Sequence, residues 1–206
     1  MKNSTIIASA LALAAVIGTA EAQTPFDGGY FGLGLGYGFG DVKDFDATGN
    51  LNVEGALAST VIGWNFSNGN MVYGAEADLS VGSVSGSATC VNPTWSCEAD
   101  VKALGSLRGR LGIAQNNWMA YVTAGGAAGR VRLQTIDGVG TVFPGTEWAT
   151  GWVAGLGFEG VMPNSPWHYR VEYLHHELSE RTYQTDVTYN SAVSVGVARA
   201  MMTMRF

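Results

Sequence analysis

Residues 30–39 read Tyr-Phe-Gly-Leu-Gly-Leu-Gly-Tyr-Gly-Phe, a pattern that a β-strand can use and a helix cannot. Successive side chains of a strand point to opposite faces, so Phe31, Leu33, Leu35, Tyr37 and Phe39 share one face and leave glycine, after Tyr30, on the other. A helix would scatter the same apolar residues around its circumference and lose about 1 kcal/mol at each glycine. The alternation recurs along the chain between turn-forming residues. It predicts an all-β fold with strands at 28–40, 53–66, 71–80, 100–114, 118–133, 147–161, 167–178 and 190–206.

Composition fits strands that cross a membrane better than helices that do. The chain is 47% hydrophobic and 14% charged, yet past residue 22 it has no apolar run near the ~18–20 residues a membrane helix needs. A net charge of −6 excludes a broad phosphate-neutralising surface, and with it a nucleic-acid partner. The first 22 residues stand apart: Lys2, an apolar stretch from Ile6 to Gly18, and Ala20-Glu21-Ala22 form the pattern of a cleaved secretory signal. The predicted domains are therefore a signal peptide, 1–22, and a β-barrel, 23–206. Export permits a disulfide, and Cys90 and Cys97 lie in one polar stretch, so a local staple is expected between them. With no third cysteine or histidine nearby, neither a metal nor a cofactor is expected there.

The connections alternate in length. Short turns at 67–70, 115–117 and 162–166 separate longer polar stretches at 41–52, 81–99, 134–146 and 179–189, the layout of an eight-stranded antiparallel up-and-down transmembrane β-barrel. Where a strand has several charges, they share a parity: Glu76 with Asp78; Lys102 with Arg108 and Arg110; Arg130 with Arg132; Arg170 with Glu172; Arg199 with Arg205. Each strand thus has a polar and an apolar face. A soluble ligand-binding barrel would turn the apolar face inward and a membrane barrel would turn it to lipid. Aromatics beside the short turns (Trp64, Phe66, Trp118, Trp167, Phe206) resemble an interfacial girdle and favour the membrane version. An arginine facing lipid at mid-depth would cost roughly 2–4 kcal/mol, which predicts a lumen network of Glu76, Asp78, Lys102, Arg108, Arg110, Arg130, Arg132, Glu159, Arg170, Glu172 and Arg199.

The chain ends Met202-Thr203-Met204-Arg205-Phe206, which resembles the C-terminal assembly signal of bacterial outer-membrane barrels. With Val72-Tyr73-Gly74-Ala75-Glu76-Ala77-Asp78, Leu107-Arg108-Gly109-Arg110-Leu111-Gly112-Ile113-Ala114 and Arg170-Val171-Glu172-Tyr173-Leu174, the chain resembles the alphaproteobacterial outer-membrane immunogenic protein family over 28–206. That family is similar in fold to the transmembrane domain of OmpA. The resemblance implies a surface-exposed Gram-negative outer-membrane protein, non-enzymatic, with a role in envelope integrity, as a surface antigen or in adhesion. Its implied partners are outer-membrane lipid, lipopolysaccharide, and the barrel assembly machinery through Met202, Met204 and Phe206. A small porin or a haemin-binding protein is the alternative reading. A monomer is expected, with loops extracellular and both mature termini periplasmic.

Other motifs carry less. His168 and His176 share a face but lie roughly 26 Å apart along a strand, and His175 faces the other way, so the three cannot hold one ion. His175-His176-Glu177 is placed at the loop rim and read as ordinary rim residues, with a single axial contact to haem as the alternative. His176 and Ser179 do not form a nucleophile–base pair on a regular strand. Gly155-Leu156-Gly157-Phe158-Glu159-Gly160 matches a dinucleotide fingerprint but leads into Pro163 and Pro166 instead of a helix. The long loops and their rims hold Asp41, Asp44, Asp46, Glu98, Asp137, Glu147, Glu177, Glu180 and Asp186 against Lys43 and Arg181. Such acidic loops read first as a solvated surface, and as a functional alternative they would meet divalent cations bridging lipopolysaccharide, or a basic host or envelope surface. The strands hold eight bases against four acids, a basic lumen too narrow for an open pore.

Overall fold

Eight antiparallel strands close into one barrel in the computed structural model, which describes residues 24–45 and 50–206. The predicted signal segment and Asp46 lie outside the described residues. The strands are β1 (Gly28–Lys43), β2 (Leu51–Asn68), β3 (Met71–Thr89), β4 (Ser96–Gln115), β5 (Trp118–Ile136), β6 (Val142–Val161), β7 (Trp167–Gln184) and β8 (Thr188–Arg205). Each pairs with its sequence neighbours, and β1 closes the ring against β8 from Tyr30↔Arg205 to Lys43↔Ala192. Closure leaves no unpaired edge across the apolar band, which is the condition for a sheet to sit in hydrocarbon, while above it β6 and β7 pair only as far as Gly151↔Leu178.

The short turns fall where expected. Gly69 and Asn116 take left-handed backbone conformations (φ 61° and 55°), the geometry a two-residue hairpin turn needs. At the other end the strands run further than the alternation predicts. The stretches expected as long loops shrink to 44–50, 90–95, 137–141 and 185–187. Segments such as Val81-Gly-Ser-Val-Ser-Gly-Ser-Ala-Thr89 have little apolar periodicity, yet their backbone pairs with Ser96–Ala103 all the same, across one register shift. Strands of 16–20 residues exceed the ~9–11 that span a bilayer, so the barrel projects beyond its apolar zone at the loop end.

The outward face shows where that zone lies. On β1 the exposed run is Phe31 to Phe39, about 26 Å along the strand and close to the ~25 Å apolar band of such barrels once tilt is allowed for. Phe66 stacks on Tyr73, and Trp118 on Phe158, at the turn end. Past Phe39 the outward residues become Asp41 and Lys43 on β1, Glu54 and Asn52 on β2, and Ser83, Ser85 and Ser87 on β3.

Inside, the barrel changes character with height. The turn half is lined by charge, hydroxyl and amide groups, including Glu76, Arg108, Arg170, Glu172 and Arg199, all at 3% exposure or less. The loop half is an apolar core that includes Val53, Leu57, Val84, Val101, Leu104, Val131, Leu133, Val153, Leu174, Leu178 and Val195. Both architectures left open by the two-faced strands therefore occur in one molecule: the turn half is polar inside and apolar outside, and the loop half is the reverse.

Two glycines make room for interior rings. A Cβ at Gly63 would collide with the Tyr30 hydroxyl, and one at Gly157 with the Tyr121 ring. Tyr30 is the one large side chain on the otherwise glycine face of residues 30–38, and the structure shows why it is there.

Candidate functional site: a sealed interior and a polar outer wall

The interior cluster is built from direct cross-strand neighbours and then tied across the lumen. Glu76 sits opposite Arg108 on β4, and Glu172 opposite Arg199 on β8. Arg108 meets Glu76, Asp78 at 3.2 Å and Glu172 at 3.2 Å. From β7, Arg170 reaches over to Glu76 with two bonds, Nη1 to Oε2 at 2.6 Å and Nη2 to Oε1 at 2.9 Å, and also donates to Glu172 at 2.8 Å. Arg199 donates Nε and Nη2 to Glu172 at 2.9 and 2.6 Å, and Nη1 to Asp78 at 2.9 Å. These are mostly charge-assisted bonds between planar guanidinium forks and carboxylates.

A lower tier joins the same cluster. Arg110 donates to Glu159 at 3.0 Å and to the Tyr30 hydroxyl at 3.0 Å, and its guanidinium lies 3.9 Å from the centre of the Tyr121 ring. Tyr30 in turn donates to Glu76 at 2.7 Å, and Tyr121 to Glu172 at 3.0 Å. Arg205 donates to Glu159 at 2.6 Å, with His168 Nδ1 3.1 Å from the same carboxylate. Tyr30, Tyr121 and His168 are not among the residues expected in the network, while Arg205, one of the eight strand bases counted toward the lumen, joins it at the turn end. Parity alone placed Tyr30 and Arg205 on inward faces, and their proximity follows only from barrel closure.

Three predicted members lie elsewhere. Lys102, Arg130 and Arg132 are on the outer wall of the loop half, not in the lumen. Lys102 is the extra residue of a bulge, with Val101↔Val131 on one side and Ala103↔Arg130 on the other, so β4 reverses its parity there. Arg130 and Arg132 face out because the inward face of β5 carries Met119, Tyr121, Thr123, Val131 and Leu133. Charge marked the lumen only as far up as the apolar band reaches. The basic lumen is corrected accordingly: five arginines meet four carboxylates and His168, a nearly balanced set.

His176 is also corrected. It is 2% exposed on the inward face of β7, so it offers no axial contact at the rim, while the partly exposed His175 lies against Trp152 and Glu177 on the outer wall. Ser179 follows at a bulge between Leu178 and Arg181, on the exposed surface. The acidic loops are for the most part an acidic collar. Asp41, Glu98, Glu147, Glu177 and Glu180 belong to strands, whereas Asp44, Asp137 and Asp186 lie in connections. Asp137 accepts from the backbone N–H of Thr141 at 2.8 Å and of Val139 at 3.0 Å, and these bonds hold its carboxyl below the usual range.

Cys90 and Cys97 form a disulfide whose sulfurs end in the apolar core of the loop half, with the cysteines at 1% and 0% exposure. Replacing both by serine is expected to lower stability by about 2 kcal/mol, from the lost closure of a short loop. A urea titration of the oxidised protein against the double variant measures it.

A closed barrel with an apolar outer band, a girdle of aromatics and a charged, filled interior is an integral outer-membrane protein. No family model matches the chain. It is 32% identical over 162 residues to the 25 kDa outer-membrane immunogenic protein of Brucella canis, covering 78% of this chain and 70% of that one. It is 29% identical over 168 residues to the 22 kDa outer membrane protein of Rhizobium leguminosarum bv. viciae, covering 81% and 72%. Among solved structures, the Neisserial surface protein A barrel superimposes with a TM-score of 0.48 at 10% identity, covering 90% of this chain and all of that one. The chain belongs to the family of the 25 kDa outer-membrane immunogenic proteins, and it is an outer-membrane surface protein.

Proposed function

We propose that the protein is a non-enzymatic, non-conducting barrel that stabilises the envelope and presents its loop end to the exterior, with both mature termini in the periplasm. The observation that supports this reading is that the interior is filled at both levels, by the ion-pair cluster below and the apolar core above. Eight strands enclose a space that side chains can fill, and here a water-filled path would have to break either a buried salt-bridge network or a dry core. The porin alternative lacks a lumen to serve it, and the haemin alternative loses its rim histidine to burial. The acidic collar is the surface for divalent cations bridging lipopolysaccharide or for a basic partner: among the described residues, ten acids and five bases lie above the apolar band. The β8 terminus, with Met202 and Met204 on the lipid face, is the element the assembly machinery would engage.

Purified protein in planar bilayers is expected to give no steady conductance above baseline. Reproducible single-channel steps from the folded monomer would overturn the sealed reading.

A further inference from the structure

Lys102, Arg130 and Arg132, turned out of the interior, stand together on one side of the barrel. Arg130 pairs with Ala103, beside the bulge residue Lys102, and Arg132 pairs with Asp100. Directly below on the same wall come the outward residues of the apolar band, Ala128 and Val122 on β5 and Leu107 on β4. On the β6 side Arg130 faces Trp148, with Trp152 further down, and both indoles are more than half exposed. The cations therefore sit where the lipid-facing wall ends.

Lys102 is ion-paired with Asp100, whereas among the described residues no carboxylate lies within ion-pair distance of Arg130 or Arg132, whose charges are left for a partner. The Nε of Arg132 is buried without a partner. Just above is a groove of about 340 Å³ lined by Ser85, Ser87, Glu98, Asp100, Arg132 and Gln134. Moving up this wall, the surface goes from apolar to cationic to hydroxyl, amide and carboxylate. That is the order of groups in a phosphorylated glycolipid read from its chains outward: acyl, phosphate, sugar. Elsewhere at the same boundary Glu54, opposite Phe39 in register, Asp41, and Glu177 paired with Lys43 would not hold an anion, while Arg181 is a single cation bonded to Thr150.

We propose that the β4–β5 wall is a binding site for the phosphorylated headgroup of an outer-leaflet glycolipid, with Arg130 and Arg132 on the phosphate and Lys102 beside them, Trp148 and Trp152 beside the upper acyl chains, and the polar groove taking sugar hydroxyls. The site rests on the reading that the loop end faces the exterior, since that leaflet must surround it.

The test uses the intact barrel in phosphatidylcholine nanodiscs doped with bisphosphorylated lipid A, reading by native mass spectrometry the lipid A retained on release. Wild type is expected to retain it. The Lys102→Gln/Arg130→Gln/Arg132→Gln variant is expected to lose retention by on the order of tenfold, while Lys43→Gln, on β1 at the opposite side of the ring, leaves it unchanged. Dephosphorylated lipid A should be retained by neither. Equal retention by wild type and the triple variant, or of both lipids by wild type, overturns the site. Arg130→Gln alone, an exposed substitution, carries the same expectation in reduced size should the triple variant fold poorly. Nanodisc binding does not depend on which end faces out in the cell, whereas surface labelling at the loop end does, so failure of the site and failure of the orientation are separately visible.

Discussion

Glu172→Gln is expected to destabilise the barrel by about 3–5 kcal/mol, the range for removing one partner from a buried charge network. Glu172 is fully buried and is shared by three guanidiniums, those of Arg108, Arg170 and Arg199, with the Tyr121 hydroxyl donating to it as well. The amide keeps the shape but removes the charge, and its NH2 group adds a donor where every neighbour already donates. Asp78 and Glu76 would then face three buried arginines whose mutual repulsion is no longer offset by the Glu172 charge. Adding Arg199→Gln should cost less than the sum of the two single changes, because removing one cation relieves that repulsion. The measurement is urea unfolding in lipid vesicles followed by tryptophan fluorescence. A loss of under about 0.5 kcal/mol for Glu172→Gln, typical of surface positions, would mean the cluster is wet and the interior open.

How the sequence announced this interior, and where it stopped doing so, has a physical cause. Strand parity is a local property, and it placed Glu76, Asp78, Arg108, Arg110, Glu159, Arg170, Glu172 and Arg199 on faces that the structure turns inward. Which arginine meets which carboxylate is set by closure: Arg170 and Glu76 are 94 residues apart and meet because β3 and β7 face each other across the lumen. Parity also fails at a bulge, since one extra residue exchanges the faces, and nothing in Val101-Lys102-Ala103 marks the bulge. The largest misreading came from taking one rule of polarity for the full strand. Val131 and Leu133 alternate with Arg130 and Arg132 just as Leu107 and Leu111 alternate with Arg108 and Arg110, but the solvent outside changes from lipid to water between them. The alternation is identical and its sense is reversed.

That reversal yields the sharpest contrast in the molecule. Leu133 is fully buried, flanked in register by Ala99 and Gly145, in a core with Leu104 and Leu178. Leu133→Asp is expected to cost at least about 4 kcal/mol, combining the lost apolar burial with an uncompensated carboxylate in a dry interior. Arg130→Gln, three residues away and exposed, is expected to change stability by less than about 0.5 kcal/mol. If charge marked the lumen at this height, the order would invert: Arg130 would be the buried partner whose loss is severe, and Leu133 a lipid-facing residue. Should Leu133→Asp fail to fold at all, Leu133→Ala keeps the comparison, with an expected loss of about 2–5 kcal/mol against a near-neutral Arg130→Ala in the same urea titration. Equal effects at the two positions would remove the apolar core from the loop half, and with it the upper of the two seals that close the barrel to ions.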